Sequence, residues 1–257
     1  MSGLGGVRNL VRQELVARQL AEQITEHFDP ADRAEGIPLR VLDVGCGEGT
    51  QAVRLARAGH LVTGLDPNPV SLGAAQAALA VEPPEVRQRI SLLTGEGGDC
   101  GRWFGPGSFD VVLCHGVLMY MPESEPMLAS LARVLAPGGM LSVVVRNGDA
   151  LAMRPGCGGD WSGAIEAFSN ERYTNRMGQQ TRADRLEPLT RTLAEIAVPL
   201  RRWYGVRVFT DQTPDHEPPP ADGRQLMQLL DAEERAGRTD PYRAVAALLH
   251  LVGTRPG

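Results

Sequence analysis

A glycine-rich turn between a short apolar segment and a helical segment restricts the possible folds of this chain more than any other feature. The turn reads DVGCGEG over residues 43–49 and follows an apolar run at 39–44. Glycine permits the positive φ angles of a sharp turn and lets the backbone come close to a bound ligand. The dinucleotide fingerprint GxGxxG requires its third glycine at the position that Thr50 occupies. The spacing D-x-G-x-G-x-G therefore predicts a ligand-binding turn that differs from this fingerprint.

Asp66 indicates what such a ligand contains. It ends a second apolar run at 61–65, about 20 residues after the glycine-rich turn, where a carboxylate can bind both hydroxyls of a ribose. The turn and this carboxylate together predict a ligand that contains a nucleoside. The alternatives are an ordinary tight turn at 43–49 and a solvent-exposed helix cap at Asp66.

Hydrophobic periodicity predicts alternating strands and helices. Strands are expected at 39–44, 61–65, 90–93, 109–114, 140–145, 203–209 and 245–252. Helices are expected at 7–28, from Thr50 to Leu55, from Pro69 onward, and at 127–135, 161–168, 189–196 and 224–234. Strands that alternate with helices pair in parallel and carry helices on both faces of the sheet. The pattern therefore predicts an α/β fold.

The chain of 257 residues is expected to be one domain, because this length is normal for an α/β domain with an insertion. Its parts are an N-terminal helical cap at 1–38, a ligand-binding core at 39–146, a substrate-side insertion at 147–185 and the C-terminal part of the sheet at 186–257. The insertion is rich in glycine, asparagine and arginine and has too few apolar residues for a core of its own. We therefore expect it to lie over the active site.

The charge and the cysteines argue against several functions. The net charge is −5 and every basic residue is arginine, so the total charge gives no reason to expect a nucleic-acid partner. The four cysteines have no CxxC spacing, which predicts reduced thiols and no metal site. We find neither the pattern of a signal peptide nor an apolar run of about 18 residues. A cytoplasmic protein without a membrane span is expected.

Four segments resemble the class I S-adenosylmethionine-dependent methyltransferases. They are VLDVGCGEG at 41–49, LVTGLDPNP at 61–69, FDVVLCHGVLMYM at 109–121 and LAPGGML at 135–141. The resemblance covers residues 39–146 and implies a Rossmann-like, mostly parallel sheet of seven strands, with the last strand antiparallel beside the fifth. It implies S-adenosyl-L-methionine as the cofactor and S-adenosyl-L-homocysteine as the product. The cofactor-binding residues that it implies, together with the subgroup described next, are Arg8, Asp43, Gly45, Cys46, Gly47, Asp66, Pro67, Glu96, Gly97 and His115.

The outer parts of the chain are similar to one subgroup of this family, the tRNA 5-carboxymethoxyuridine methyltransferases. The similar segments are GGVR at 5–8, HGVLMY at 115–120, GVRVFTD at 205–211 and a C-terminal pattern of Glu233, Arg235, Pro241, Tyr242 and His250. The similarity implies that Arg8 pairs with the carboxylate of the cofactor's methionine part and that His115 borders the cofactor. It also implies that a carboxylate of the substrate accepts the methyl group.

The insertion departs from this subgroup. It has RMGQQTR at 176–182 and GDWS at 159–162, where the tRNA enzymes have a basic stretch and an aromatic-rich element. The loss of charge and of aromatic rings weakens a predicted tRNA interface. Five arginines still form a basic run, which is alternatively a solvated face: Arg172, Arg176, Arg182, Arg185 and Arg191. The anticodon uridine of tRNA therefore stays one of the possible acceptors.

Three residues are predicted to position the acceptor: Arg207, with Arg146 and Tyr173 behind it. A carboxylate has an ordinary pKa of about 4 and is ionised at neutral pH, so methyl transfer to it needs no general base. An arginine orients a carboxylate through two parallel hydrogen bonds, and proximity supplies most of the rate. The alternatives are that Arg207 points to solvent from a strand and that Tyr173 is an ordinary packing residue.

Four functions are open at this point. The first is direct methylation of a carboxylate or hydroxyl oxygen, with tRNA as the acceptor. The second is methylation of a small molecule, a metabolite or natural product, with residues 147–185 as a lid. The third is a nucleotide-binding oxidoreductase, against which the glycine spacing and Thr50 argue. The fourth is a regulator that binds the cofactor without catalysis.

Overall fold

The computed structural model describes residues 6–28, 37–175, 178–214 and 216–257. Gly5 of the GGVR segment and Arg176 of the basic run lie outside these ranges. The chain forms two compact units, which are described separately. Unit 1 comprises Met1–Leu20, Val144–Leu189 and Trp203–His250, and unit 2 comprises Ala21–Val143, Thr190–Arg202 and Leu251–Gly257. The single-domain organisation with its four parts stays a prediction.

The strands form one large sheet and one small sheet. Their bounds are β1 (Arg40–Val44), β2 (Leu61–Asp66), β3 (Ile90–Thr94), β4 (Phe109–His115), β5 (Leu135–Arg146), β6 (Arg172–Thr174), β7 (Gln180–Arg182), β8 (Leu200–Val206) and β9 (Leu248–Thr254). The large sheet has the order β3-β2-β1-β4-β5-β9-β8, and the small sheet pairs β6 with β7. The predicted Rossmann-like α/β fold, a mostly parallel sheet of seven strands with an N-terminal helix, is confirmed.

The helices account for most of the remaining chain. The α-helices are α1 (Val7–His27), α2 (Thr50–Arg57), α3 (Pro69–Ala80), α4 (Pro84–Arg87), α5 (Cys100–Trp103), α6 (Glu125–Val134), α7 (Met153–Cys157), α8 (Trp161–Ala167), α9 (Leu186–Glu195) and α10 (Gly223–Arg238). Short 3-10 turns lie at Gly97–Asp99, Leu118–Tyr120, Gly148–Ala150, Thr210–Gln212 and Tyr242–Val245. The start of α3 shows a local cause, since Asn68 Oδ1 accepts a hydrogen bond from Val70 N at 2.9 Å and Pro69 supplies the first helical residue.

The register of the parallel strands brings three chain segments to one edge of the sheet. Val44 at the end of β1 lies opposite Leu65 of β2 and Cys114 of β4. The next residue along each of these strands is therefore at the same carboxyl edge. This is the edge at which open α/β sheets bind ligands.

The first residues of the fifth and the last strand differ from the sequence prediction. The fifth strand was expected to begin at Met140, but it begins at Leu135, because Gly138 N donates to Arg255 O at 3.1 Å and Gly139 O accepts from Arg255 N at 2.9 Å. This pairing of the start of β5 with the residue after β9 is antiparallel, as predicted for the last strand. That last strand begins at Leu248 rather than at 245, because the residues up to Val245 form a 3-10 turn.

The predicted strand over 203–209 is wrong at its C-terminal end. β8 stops at Val206, and Arg207 has a φ of 61°, in the left-handed region. A strand cannot continue through this conformation. Arg207 therefore does not alternate with its neighbours in a strand but lies in the turn that follows β8.

The insertion at 147–185 has more structure than predicted. One helix was expected at 161–168, and the structure has α7, α8 and the antiparallel hairpin of β6 and β7, in which Tyr173 pairs with Thr181. Its polar and exposed side chains explain why hydrophobic periodicity did not predict the hairpin. That the insertion covers the active site stays a prediction.

Each unit has its own apolar core. In unit 1, one face of α1 packs against Val144, Val206 and Leu230, with Val7, Val11 and Leu15 of the helix all buried. Burying a side chain such as Leu15 contributes about 1.5–3 kcal/mol. In unit 2, the central strands β1 and β4 are buried on both faces, which explains their continuous apolar runs.

The sequence predicts no membrane span, no metal site and reduced cysteines. Within those ranges, no helix is long and apolar enough to cross a membrane. Among the same residues, no group of three or more potential ligands could hold a metal ion. All four cysteines are described and are free thiols, with Cys157 exposed and the others buried.

Candidate functional site

The glycine-rich turn in unit 2 has a backbone that only glycine adopts easily. Gly45, Gly47 and Gly49 have φ values of 69°, 56° and 78°. These left-handed conformations cost other residues free energy. A Cβ atom on Gly45 would also lie 2.3 Å from Val117 Cγ2, whereas a Cβ on Gly47 would meet no atom within 4 Å. The backbone at Gly47 is thus open to a ligand.

Asp66 links the turn to the end of β2. One carboxylate oxygen accepts a hydrogen bond from Gly47 N and the other accepts one from Asn68 N, both at 2.9 Å. The side chain is buried, with the residue 8% exposed. An ionised carboxylate has about four acceptor sites, so two remain for other donors. Two hydroxyl groups of a ribose would fill this remaining capacity.

Asp43 and Cys46 lie beside Asp66 in a low-dielectric environment. Burial, and secondarily the charge of Asp66, raises the pKa of Asp43 to about 7. Burial, followed by the charges of Asp43 and Asp66, raises the pKa of Cys46 to about 12. The thiol of Cys46 is therefore protonated at neutral pH and is not a nucleophile. Asp43, in contrast, can gain or lose its proton near neutral pH.

The segment after β3 approaches the same strands closely. A Cβ on Gly97 would lie 2.3 Å from Val44 Cγ1 and 2.9 Å from Met127 Cε. Glu96 precedes Gly97 with an extended backbone and an exposed side chain, and Pro67 is also exposed. The structure thus brings Gly97 and the glycine-rich turn to the end of β1. Their contact with the cofactor stays a prediction.

His115 ends β4 at this edge of the sheet. Its Nε2 lies 2.8 Å from Ser142 Oγ of β5. Ser142 was not among the predicted residues, because an isolated serine in a strand gives no local indication of its partner. The hydroxyl fixes the orientation of the imidazole ring. That His115 borders the cofactor stays a prediction.

These residues of unit 2 fit S-adenosylmethionine. The open backbone at Gly47 accommodates a ligand, and Asp66 retains acceptor sites for two hydroxyls. Asp43 is an acid that can become a carboxylate beside a positively charged group. The nucleoside and the methionine part of the cofactor need these features.

We expect the cofactor affinity to depend on pH through Asp43. Its pKa of about 7 lies above the ordinary value of 3.8, so it is protonated below pH 7 and gains a negative charge above it. Binding of a positively charged group favours the ionised form. The affinity for S-adenosylmethionine should therefore rise about tenfold from pH 6 to pH 8, by proton linkage. Calorimetry at several pH values measures this. Asp43→Asn should bind with little pH dependence, and an equal slope in this variant would contradict the assignment.

A second group of predicted residues forms an arginine cluster in unit 1, which we define as Arg8, Arg146 and Arg207 around Asp211. Asp211 Oδ1 lies 3.3 Å from Arg8 Nη2 and 3.1 Å from Arg207 Nη2, and Oδ2 lies 3.3 Å from Arg146 Nη1. The four side chains are 7–13% exposed. Tyr173 joins the cluster, with its ring centre 5.6 Å from Arg146 Cζ. The structure therefore brings together the three residues that were predicted to position the methyl acceptor.

Arg8 was predicted to bind the cofactor, but within unit 1 it shares Asp211 with the acceptor candidates. Its role toward the cofactor stays a prediction. The role of Asp211 was not predicted, because it depends on a contact between residues 203 positions apart.

The carboxylate of Asp211 lies among the three guanidinium groups of the arginine cluster. Although burial opposes it, the guanidinium groups of Arg146, Arg207 and Arg8 hold the pKa of Asp211 below its usual value. Burial and the neighbouring arginines lower the pKa of Arg207 to about 9. Among the described residues, the buried Nε atoms of Arg146 and Arg207 have no hydrogen-bond acceptor. An anion with two oxygens would satisfy both the charge and these donors.

Glu233 of α10 holds the turn that carries Arg207 and Asp211. Its carboxylate accepts hydrogen bonds from Val208 N at 2.7 Å, Phe209 N at 3.1 Å and Thr210 N at 2.7 Å. It also accepts one from the Thr210 hydroxyl at 2.6 Å. These bonds replace the strand pairing that ends at Val206. The sequence pattern included Glu233, but nothing in it indicated this role.

Comparison with known proteins supports the interpretation of unit 2. A family model described as "Methyltransferase domain" matches residues 42–143. Within these residues lie the glycine-rich turn, Asp66 and His115.

Two curated relatives cover different shares of the chain. The ubiquinone biosynthesis O-methyltransferase of Paracidovorax citrulli is 37% identical over 120 residues, which are 44% of this chain and 47% of that protein. The tRNA 5-carboxymethoxyuridine methyltransferase of Escherichia coli is 26% identical over 219 residues, which are 85% of this chain and 80% of that protein. The chain thus spans about half the length of the first relative and most of the second.

A solved structure shows the same fold. The magnesium protoporphyrin IX methyltransferase from Synechocystis with bound SAH matches 96% of this chain and 85% of its own, with a TM-score of 0.61 and 17% identity. At this identity the likeness concerns the fold alone. The family model therefore shows a methyltransferase domain at residues 42–143.

Proposed function

We propose that this methyltransferase transfers the methyl group of S-adenosylmethionine to a carboxylate oxygen of its acceptor. The observation that carries the proposal is the arginine cluster, in which three guanidinium groups with 10–13% side-chain exposure each contact the carboxylate of Asp211. A cytoplasmic location, predicted from the sequence, is part of the same proposal.

The arginine cluster suits a carboxylate through its unused donors. Arg146 and Arg207 contact Asp211 through their terminal nitrogens, while their buried Nε atoms have no acceptor among the described residues. An arginine edge formed by Nε and one Nη binds the two oxygens of a carboxylate. Asp211 holds three like charges close together and leaves such edges available. The acceptor carboxylate therefore adds the missing negative charge without replacing Asp211.

The reaction requires positioning rather than proton transfer. When bound, S-adenosylmethionine supplies a methyl group on a positively charged sulfur; an oxygen lone pair of the acceptor forms the new O–C bond while the C–S electron pair returns to sulfur. A carboxylate is already ionised at neutral pH, so no protein side chain has to remove a proton. The arginines fix the direction of the carboxylate, and this orientation supplies most of the rate.

The name of one relative supports a carboxylate as the methyl acceptor. The tRNA 5-carboxymethoxyuridine methyltransferase, by its name, acts on a nucleoside of tRNA that carries a carboxymethoxy group, and its match extends over 85% of this chain. Methylation of such a uridine is one form of the proposal. Methylation of a small carboxylic acid is the second form of the proposal. It is favoured by two ion pairs in the insertion that engage arginines of the basic run: Arg182 pairs with Asp184 at 2.9 Å, and Arg185 pairs with Glu171 at 3.0 Å.

Arg207→Lys tests the proposal. Lysine keeps the positive charge but has no planar edge for two oxygens, so we expect the KM for the acceptor to rise by about 10- to 100-fold, the loss of about 1.5–3 kcal/mol of charged hydrogen bonding. Methyl transfer from labelled S-adenosylmethionine to total tRNA and to a small-molecule extract measures the activity. Calorimetry measures the cofactor affinity, which should stay the same.

Arg224→Lys is the matched control, because Arg224 is an exposed arginine of α10. It should leave the KM for the acceptor unchanged. Full activity of Arg207→Lys, or label only on acceptors that lack a carboxylate, would contradict the proposal.

A further inference from the structure

The helix α8 presents a large apolar face to solvent. Trp161, Ile165 and Phe168 are 70%, 71% and 75% exposed. They are four and three positions apart, so they lie on one side of the helix and its C-terminal end. Scattered exposed apolar residues are ordinary, but a contiguous apolar patch usually marks a binding surface. α8 belongs to unit 1, as does the arginine cluster.

Packing contacts within unit 1 link α8 to the turn that contains Asp211. α8 packs on α7, and α7 packs on the 3-10 turn Thr210–Gln212 that contains Asp211. Gln212 Nε2 donates to Met153 O of α7 at 3.4 Å. Arg154 of α7 is close enough to contribute to the lowered pKa of Asp211. The pair of helices α7 and α8 is therefore in contact with the turn that contains Asp211.

The turn after β8 and α7 each carry a further exposed apolar side chain. Phe209 is 51% exposed, although the side chains of Arg207 and Asp211 in the same turn are only 13% and 7% exposed. Met153 of α7 is 39% exposed. Apolar surface thus begins at the turn of the arginine cluster and recurs on both helices, α7 and α8.

Acidic side chains pair with two arginines of the insertion, which reduces the positive charge available to a polyanion. Binding to a phosphate backbone needs exposed arginines that are available to phosphates. Arg182 pairs with Asp184, and Arg185 pairs with both Asp149 and Glu171. The exposed side chains of α8 and its flanks include acidic residues at Asp160 and Glu166. The arginine cluster and the exposed apolar side chains of α7 and α8 together complement a molecule with one anionic group and an apolar body.

We propose that the acceptor is an amphiphilic carboxylic acid whose carboxylate binds the arginine cluster and whose alkyl or aryl body docks on the hairpin of α7 and α8. This inference rests on the proposed carboxylate methylation and names the class of acceptor. The exposed face of α8 then serves as the surface that the apolar body covers. The anionic group supplies the orientation, and the apolar contact supplies affinity.

A chain-length series tests the inference. The full chain is incubated with labelled S-adenosylmethionine and acetate, hexanoate or dodecanoate below its micelle concentration. Burying one methylene stabilises binding by about 0.8 kcal/mol, or roughly fourfold in KM. Since part of the chain stays exposed to water, we expect the KM to fall by at least about a hundredfold from acetate to dodecanoate.

A double variant localises the effect. Ile165→Ser with Phe168→Ser removes exposed apolar side chains without disturbing a core. It should raise the KM for dodecanoate by about tenfold or more while leaving acetate turnover and cofactor affinity unchanged. The matched control is Val70→Ser with Val81→Ser, two valines at α3 of unit 2 that are 80% and 84% exposed. This control should leave all three quantities unchanged.

The outcomes separate the inference from the proposal on which it rests. Methylation of carboxylates with a KM that does not depend on chain length overturns the inference and leaves carboxylate methylation intact. Label on tRNA that the double variant does not reduce overturns it as well, as does self-association of the wild type that the double variant abolishes. If no carboxylate of any length is methylated while the cofactor binds, the proposed carboxylate chemistry itself fails.

Discussion

Asp66→Ala is expected to weaken S-adenosylmethionine binding by about 1–3 kcal/mol, roughly 5- to 150-fold in Kd. The carboxylate has two oxygens that each hold one backbone N–H and keep further acceptor sites. Its loss leaves the ribose hydroxyls without acceptors and removes the anchor of Gly47. Both consequences act on the same ligand, so the effect is among the largest available from one side chain of unit 2. Isothermal calorimetry of the wild type and the variant measures it.

The control for this variant removes a carboxylate elsewhere in unit 2. Glu85 is an exposed residue of α4, and Glu85→Ala should bind the cofactor as the wild type does. Thermal unfolding without the cofactor shows whether Asp66→Ala remains folded. Unchanged affinity in a folded Asp66→Ala protein would contradict the placement of the ribose at Asp66.

The glycine-rich turn and the position of Asp66 could be predicted because the patterns that indicate them are local in the sequence. The turn at 43–49, Asp66 and Pro69 follow one another within a strand, turn and helix, and glycine is required there by the positive φ angles themselves. The parallel register then brings Asp66 and His115 to the edge where Gly45 lies, as any sheet of this kind does. Local chemistry and topology therefore account for the turn and for the placement of Asp66 and His115 at this edge, while their contacts with the cofactor stay a prediction.

The arginine cluster could be predicted only in part. Arg146 and Arg207 were predicted as residues that position the acceptor, but the contact of Asp211 with Arg8 spans 203 positions of the chain. Sequence periodicity does not predict a contact between residues so far apart in the chain. The error at the end of β8 has the same origin. The alternation of Val206, Arg207 and Val208 is typical of a strand, and a carboxylate more than 20 positions away changes the outcome.

The comparisons narrow the functions that the sequence left open. A methyltransferase domain at 42–143 includes the glycine spacing and Thr50 that distinguish the turn from a dinucleotide site. The oxidoreductase alternative is therefore set aside. The acceptor is a separate question, because the relatives with these motifs carry different substrates in their names. The answer depends on the arginine cluster and on the surface around it rather than on the shared motifs.

Glu233→Ala is expected to lower the free energy of unfolding by about 3–5 kcal/mol, since it strands several buried donors at once. The residue is completely buried and accepts three backbone N–H groups and one hydroxyl from residues 208–210. The same change frees the turn that positions Arg207, so acceptor affinity should fall in the protein that remains folded. Urea unfolding and the KM for the acceptor measure the two effects.

Glu234 provides a matched control one position along α10. It pairs with Arg18 at 2.8 Å and with Arg238 at 2.9 Å near the surface. Glu234→Ala should cost at most about 1 kcal/mol, because water screens exposed ion pairs. Glu233→Gln keeps an acceptor oxygen but adds two N–H donors beside backbone donors, so its stability should lie between the wild type and Glu233→Ala. If Glu233→Ala were as stable as Glu234→Ala, the turn after β8 would be held by contacts other than this carboxylate, and the position of Arg207 would need another cause.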